Sequence, residues 1–358
     1  MHSARASFCS NASTMPIVSF MPFFPDERVD HVVGDFRVWN WATHRGRADD
    51  ASGTYLERYF NLFVTSDGAP ERRIAILSEA NGNLFPDEAA FRGQEILRLA
   101  AALMACFLFR FPTGQDAGWA ACSSDNFATF HQPFDAAGQN PGVGFEFGSY
   151  VRVRVVGSWE HMRFATPQYI PRPTGCEFNN DMLNRLAGLF ASQDLGTERI
   201  FRSFDWLRPA FANYDLEYRS RVIAMATAFE ILLGLPDHQK AAFFANRVNE
   251  LLPPNCLPTS ARPWGPRNVQ TTDNEVGWWC RTFYDLRSRI VHGDAVPVTD
   301  FHFSPGVEHL QIALSLFEEC VRGLLIEMGR MREAEREQYL LFEHPWRDKL
   351  GLPGNVWY

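Results

Sequence analysis

Residues 284 to 294 read Tyr-Asp-Leu-Arg-Ser-Arg-Ile-Val-His-Gly-Asp and close a predicted helix. The apolar residues that lead into this stretch recur at alternating spacings of three and four, which is typical of a helix with one buried face. They are Val276, Trp279, Phe283, Leu286 and Ile290. Gly293 predicts the end of the helix, because glycine adopts the left-handed cap conformation without steric cost. His292 therefore falls in the last turn, where the helix dipole favours a protonated imidazole.

The side chains around His292 have the chemistry needed to bind and cleave a phosphodiester. Arg287 and Arg289 carry guanidinium groups, which bind anions through paired N–H donors. An imidazole exchanges protons near neutral pH, so it can act as a general acid or base. On a straight helix Arg287 and His292 point about 140° apart. Helix geometry alone would therefore pair His292 with Arg289, which shares a polar face with Asp285 and Ser288.

This stretch resembles the R-x4-H signature of HEPN domains, in particular the Apea-like group. The residues that match that group's Tyr-x-x-Arg run and its Ile-Val-His-Gly ending are Tyr284, Arg287, Ile290, Val291, His292 and Gly293. Upstream, residues 228 to 233 read Ala-Phe-Glu-Ile-Leu-Leu and resemble the Ala-x-Glu-x-Leu-Leu segment of such domains. Arg247 falls where their second helix carries an arginine. The resemblance covers the C-terminal part of the chain.

The resemblance implies a metal-independent endoribonuclease without a cofactor, whose site forms between two protomers. The implied site residues are Arg287 and His292 as catalytic groups, Ser288, Glu230 and Tyr284 as supporting groups, and Arg289 and Arg247 as RNA-binding groups. His292 would act on the RNA 2′-hydroxyl or the leaving 5′-oxygen, and Arg287 would stabilise charge on the phosphoryl oxygens. The expected products are a 2′,3′-cyclic phosphate and a 5′-hydroxyl. The family context suggests a role in antiphage defence or a toxin-like role.

Other interpretations of the same residues stay open. Catalytic members of the family often have Asn, Asp or His after the arginine, whereas this chain has Ser288. The helical part could therefore be a module that binds RNA or a nucleotide without cleaving it, or a dimerisation platform. Arg287 and His292 could also cap the helix and bind a nearby carboxylate. Glu230 could orient Arg287 or His292, or it could form a structural ion pair with Arg247.

Composition describes an ordinary globular chain and narrows the classes of function. The 358 residues suggest two domains, and the 46% hydrophobic and 14% aromatic fractions imply substantial cores. The net charge of −8 means that RNA binding would depend on a local basic patch rather than on bulk charge. Lys240 and Lys349 are the only lysines, so the basic groups are mostly guanidiniums, which suit phosphate and carboxylate. Metalloprotease, serine-hydrolase and P-loop motifs are not found.

Cysteine usage and hydropathy predict a cytoplasmic protein without a membrane partner. The seven cysteines are scattered and contain no C-x-x-C pair, which favours reduced thiols. The start of the chain, 1–15, is polar and reads as a disordered leader rather than a signal peptide. The longest apolar run, Leu99 to Phe109, is too short to span a bilayer and predicts a buried helix.

The fold class expected from these patterns is α+β. Residues 16–172 are expected to form a β-rich mixed domain, which would be a sensor or regulator for an unidentified trigger ligand or protein. Residues 177–340 are expected to form an all-α HEPN-like bundle, followed by a tail at 341–358. In the first domain we predict strands at 36–41, 54–65, 73–77 and 151–155, a helix at 87–111 and a turn at 142–148. The proline-containing segment 170–175 predicts a linker, and preferential proteolysis there would test it.

The C-terminal pattern is helical. Helices are predicted at 177–192, 198–213, 216–233, 237–252, 274–292 and 307–340, with a long loop at 253–273 that carries Arg262 and Arg267. The last helix repeats apolar residues in heptads and therefore requires a partner helix. Arg219, Arg221, His309 and the charged run 333–337 are expected on the solvated surface.

Overall fold

The computed structural model describes residues 16–47, 50–86, 90–110, 124–133, 143–147, 151–155, 163–166, 178–211, 216–252, 262–264, 271–273, 275–304 and 307–340. The chain divides into two compact units, the first from Met1–Gln94 and Ala128–Thr166, the second from Glu95–Phe127 and Pro167–Tyr358. Residues 95–127 thus belong to the second unit, whereas the sequence prediction kept them in the first. The predicted leader, linker and tail lie outside the described residues.

The first unit is built around an antiparallel sheet. In chain order it contains β1 (Ile17–Met21), β2 (Asp30–Val33), β3 (Phe36–Asn40), α1 (Trp41–His44), α2 (Asp50–Phe60), β4 (Phe63–Val64), β5 (Ala75–Glu79), β6 (Phe130–Pro133), β7 (Val143–Phe147), β8 (Val151–Val155) and β9 (Phe164–Ala165). Five strands form one sheet in the order β2-β3-β5-β1-β6. Helix α2 packs on β1 through rings, since Phe20 lies 5.0 Å from Phe60 and 5.7 Å from Tyr59 between centroids.

Two predictions for this unit were wrong. The segment 54–65, expected as a strand for its aromatic content, is largely helix α2. Its buried residues Ser52, Leu56, Tyr59 and Phe60 recur at spacings of three and four, so the helical period decided the structure. The glycine-rich 142–148 was expected as a turn, yet Val143–Phe147 is a strand that pairs antiparallel with β8, with Glu146 opposite Arg152. Strand β8 has the predicted bounds.

The second unit is mainly helical. It contains nearly all of α3 (Gly93–Arg110), followed by α4 (Asn180–Ala187), α5 (Leu195–Phe211), α6 (Tyr218–Leu233), α7 (Lys240–Leu251), β10 (Arg262–Trp264), β11 (Thr271–Asp273), α8 (Glu275–Val291), β12 (His302–Ser304), β13 (Val307–Glu308), α9 (His309–Glu327) and α10 (Glu333–Leu340). Together with the sheet of the first unit, these helices confirm the α+β class. No helix in the described part of the chain combines the length and apolar character that a membrane crossing requires.

Helix α9 is the central helix of this unit. Most of its residues are buried around the whole circumference, which is typical of a helix enclosed by others. It packs against α6 and α7. Phe317 of α9 contacts Phe229 of α6 at 5.3 Å and Phe204 of α5 at 6.3 Å between ring centroids. The heptad pattern is therefore satisfied by several helices of the same unit.

Three further predictions for this unit need correction. The single helix 307–340 is two helices, because Gly329 takes a left-handed conformation with φ +66° and ends α9. His309 is buried, not on the surface, and within the charged run 333–337 Arg336 is buried against Glu319 at 3.1 Å. The long loop 253–273 contains the paired strands β10 and β11, with Arg262 opposite Asp273, while Arg267 lies outside the described residues.

Candidate functional site

Helix α8 ends as its sequence predicts. Gly293 has φ +79°, its N–H donates to Ile290 O at 3.1 Å, and the Asp294 N–H donates to Arg289 O at 2.9 Å. These two bonds close a Schellman cap. The His292 N–H donates to Ser288 O at 3.0 Å, so His292 is held at the C-cap position, directly after the last residue of α8. The cap fixes the backbone at His292 and leaves its side chain exposed.

A carboxylate on α6, Glu230, lies at the centre of the candidate site. The Tyr284 hydroxyl donates to Glu230 Oε1 at 2.7 Å, and Arg287 Nη2 lies 3.3 Å from the same oxygen. Lys240 Nζ donates to Glu230 Oε2 at 2.7 Å. Three elements therefore meet here: α6 supplies the acid, the first residue of α7 supplies the ammonium, and α8 supplies the phenol and the guanidinium. We call these four side chains the Glu230 cluster.

Local sequence explains how these side chains meet. Gly234 has φ +63°, and the Leu235 N–H donates to Glu230 O at 3.1 Å, so Glu230 lies in the last turn of a capped helix. The negative end of the helix dipole disfavours a carboxylate there, and adjacent cations offset this cost. The chain then reverses and begins α7 at Lys240. Tyr284 and Arg287 are three residues apart, which places both on one face of α8.

Arg287 forms fewer bonds than its guanidinium allows. Its Nε is buried and has no hydrogen-bond partner among the described residues, and its one ion pair there is the 3.3 Å contact to Glu230. Its Cζ lies 5.5 Å from the centre of the Tyr284 ring. Because a guanidinium has five N–H donors, Arg287 retains capacity to bind an anion. Burial, followed by the hydrogen bond to Glu230, raises the pKa of Tyr284, so its hydroxyl remains a donor.

The other predicted residues lie apart from this cluster. Arg289 Nη1 donates to Asp300 Oδ2 at 2.7 Å, which ties the end of α8 to the segment after His292. Arg247 contacts Glu250 at 3.0 Å and Glu327 at 2.5 Å. The alternative Glu230–Arg247 ion pair is therefore wrong: Glu230 contacts Lys240 and Arg287 instead. Arg219 is exposed, as expected, whereas the Arg221 Nε donates to Ala210 O at 2.7 Å.

The His292 imidazole makes no hydrogen bond or ion pair with residues that the structure describes. It is exposed, next to Val291, which is 49% exposed. Arg287 is directed to α6, so the two signature side chains have different surroundings, in line with the angle between them on a straight helix. Ser288 joins neither group through its side chain, although its carbonyl accepts the His292 N–H.

Lys240 and Asp300 were not predicted from the sequence, and they contact Glu230 and Arg289 at 2.7 Å each. Each of them lies beyond the end of the helix that carries its partner, so no helical periodicity connects the two residues. The rarity of lysine in this chain was the one available signal for Lys240. Within the described ranges, no group of three or more His, Cys, Asp or Glu side chains is arranged to hold a metal ion.

The Glu230 cluster has one negative charge, from Glu230, and two positive charges, from Lys240 and Arg287. Its excess of one positive charge and the unused donors of Arg287 suit an oxyanion. Comparisons of the chain with protein-family models, with curated proteins and with solved structures give no match. The resemblance to HEPN domains therefore rests on the sequence motifs, and the function is inferred from the site.

Proposed function

We propose that the second unit is a HEPN-type module that binds RNA and cleaves it without a metal ion. The observation that carries this proposal is the incompletely bonded Arg287, which belongs to a cluster with excess positive charge and precedes the exposed His292 by little more than one helical turn. An RNA phosphate offers the oxygens that Arg287 lacks. We expect the protein to be located in the cytoplasm.

In this proposal the two residues have separate roles. Arg287 binds the scissile phosphate and stabilises the charge that develops on its oxygens. His292 removes the proton of the 2′-hydroxyl or donates a proton to the 5′-oxygen that leaves. The 2′-oxygen forms a bond to phosphorus while the bond from phosphorus to the 5′-oxygen breaks. The products are a 2′,3′-cyclic phosphate and a 5′-hydroxyl.

The different surroundings of Arg287 and His292 favour a site shared between two copies of the chain. Since His292 has no partner in the described part of its own chain, a second copy could supply the arginine that faces it. Mass measurement at micromolar concentration, with and without RNA, tests this arrangement. A strict monomer under both conditions would contradict it. The first unit is proposed as the sensor or regulator of this module.

Cleavage of total RNA by the purified protein in EDTA tests the proposed activity. We expect His292→Ala to abolish cleavage, because the proton-transfer group is lost, while RNA binding is largely retained. His302→Ala is the matched control, since it removes another exposed imidazole of the same unit. Circular dichroism verifies that both variants are folded. Cleavage that persists in His292→Ala would contradict the assignment.

A second candidate function is RNA or nucleotide binding without cleavage. It is favoured by Ser288, which departs from the family pattern, and by the absence of a bonded partner for the His292 side chain among the described residues. In this case the wild-type protein binds RNA and leaves it intact. Its affinity then falls in Arg287→Ala and is unchanged in His292→Ala.

A further inference from the structure

Several carboxylate–guanidinium pairs of the first unit are bidentate, whereas other pairs in the protein, such as Arg289 with Asp300, have a single contact. Arg37 donates to both oxygens of Asp30, from Nε at 2.8 Å and from Nη2 at 3.1 Å. Arg47 donates to the same two oxygens at 2.9 and 2.7 Å. Arg73 binds both oxygens of Glu71 at 3.0 and 2.9 Å. Two parallel N–H···O bonds are the preferred geometry when a guanidinium meets a carboxylate.

The pair of Glu230 and Arg287 departs from this geometry. Only Oε1 of Glu230 contacts Arg287, at 3.3 Å, and the buried Nε of Arg287 has no partner in the described part of the chain. The carboxylate accepts two other, shorter bonds. Lys240 binds Oε2 at 2.7 Å, and Tyr284 binds Oε1 at 2.7 Å. Glu230 therefore has Oε1 towards Tyr284 and Arg287, and Oε2 towards Lys240.

Lys240 also changes the charge of the cluster. Glu230 and Arg287 alone would sum to zero, and a neutral pair attracts a phosphate weakly. Lys240 is 25% exposed and Glu230 15% exposed, so their contact is partly shielded from solvent. A partly shielded charge acts on its neighbours more strongly than one in open water. With Lys240 present, the positive charge of Arg287 is not compensated within the cluster.

We propose that Lys240 is a positioning residue that acts through Glu230 to keep Arg287 available for a phosphate. Lys240 itself does not touch the substrate. It holds Oε2 and offsets its charge, and the Nε of Arg287 has no hydrogen-bond partner in the described part of the chain. This inference rests on the proposed function for the identity of the ligand, an RNA phosphate. Its geometric part can be tested without any activity.

The test combines Lys240→Met, Glu230→Gln, the double variant and Lys240→Arg in RNA-binding and RNA-cleavage assays. We expect Lys240→Met to weaken RNA affinity and kcat/KM about tenfold, the effect of losing one charged contact. In the Glu230→Gln background, the same change should have no further effect, because the carboxylate that it restrains is gone. Lys240→Arg should restore most of the loss. Arg45→Met, which removes a cation from the exposed pair with Glu57, is the control and should behave as wild type.

A crystal structure of Lys240→Met separates this inference from the proposed function. We expect Arg287 to bind both oxygens of Glu230 in that variant. If Arg287 keeps its single contact, Lys240 does not set its geometry and the inference is wrong, whatever the protein does to RNA. If Lys240→Met is as harmful in the Glu230→Gln background as in wild type, Lys240 contacts RNA directly and the inference also fails. If the wild type neither binds nor cleaves RNA while the variant shows the bidentate pair, the proposed function fails and the geometric role of Lys240 stands.

Discussion

Asp30 in the first unit and Glu230 in the second are carboxylates that each contact two cationic side chains. They differ in how many N–H donors of the neighbouring arginines are bonded. Asp30 accepts four N–H bonds from Arg37 and Arg47, and His44 lies 3.7 Å away. The hydrogen bonds from Arg47 and then Arg37 hold the pKa of Asp30 well below its usual range. Glu230 is restrained by a lysine and a tyrosine, and its arginine retains unused donors.

The difference separates a structural contact from a candidate binding site. Where each guanidinium already forms a bidentate pair with a carboxylate, as at Asp30, fewer of its donors remain for an incoming anion. In the proposed function, an anion at the Glu230 cluster would bind Arg287 without breaking a short contact, and so would gain more net free energy. The net charge does not distinguish the two clusters, because both have an excess of cations. The number of hydrogen bonds that each guanidinium forms with its carboxylate does distinguish them.

The largest expected effect concerns a saturated pair that is also fully buried. Arg73→Met leaves the Glu71 carboxylate, which is 2% exposed, without its guanidinium. We expect the free energy of unfolding to fall by about 3–5 kcal/mol, the usual cost of an uncompensated buried charge. Urea denaturation followed by circular dichroism measures it. Arg287→Met should lower the free energy of unfolding far less. Equal losses of stability in the two variants would contradict the distinction between the two kinds of pair.

The second prediction concerns the pH dependence of stability that one buried histidine in each unit causes. Burial lowers the pKa of His131, in the first unit, and of His309, which packs on Trp279 and Phe283 of α8, to about 4 in each case. The unfolded chain binds a proton near pH 6.5 and the folded chain does not, so stability falls as pH drops from 6.5 towards 4. We expect a loss of about 3 kcal/mol for each histidine over that range.

Urea denaturation across this pH range provides the measurement. His309→Phe should remove the pH dependence of the unit that contains the Glu230 cluster and leave that of the first unit. A His309→Phe protein whose second unit retains the full pH dependence would assign the effect to other groups.

The third prediction compares arginines of the two clusters directly. If the protein cleaves RNA, Arg287→Ala should lower kcat/KM by about a hundredfold, because the group that stabilises the phosphoryl charge is lost. Arg37→Ala removes a guanidinium that is already paired with Asp30 and should leave cleavage unchanged. RNA cleavage by both variants at one salt concentration tests this. Equal losses in both would mean that saturation does not distinguish the two clusters.

The smallest expected effect concerns the cap that places His292. Gly293 has φ +79° and nothing lies within 4 Å of the Cβ that alanine would add. Gly293→Ala should therefore cost about 1 kcal/mol of stability from backbone strain alone. It should reduce any RNA cleavage more than Gly46→Ala, a glycine with equally open space and no positive φ. Thermal denaturation and the RNA assay measure the two effects.

Local features of this protein could be predicted from its sequence. The bounds of α8 differ from the prediction by one residue at each end, and Gly293 ends it as expected. The strand at Val151–Val155 was predicted with its bounds. Periodicity, caps and turns depend on residues within a few positions of each other, so the local sequence is sufficient to predict them. The end of α9 before Gly329 is also a local feature, although the long apolar pattern predicted a continuous helix there.

Contacts between distant segments were decided only by the tertiary structure. The family resemblance grouped Glu230, Tyr284 and Arg287 in one predicted site, and the sequence left Arg247 open as the alternative partner of Glu230, where the structure has Lys240. The burial of His309 was missed for the same reason. A helical period determines which residues share a face. Which other helix covers that face, and which residues it brings into contact, depends on the packing of the whole unit. That packing leaves the Nε of Arg287 without a hydrogen-bond partner among the described residues.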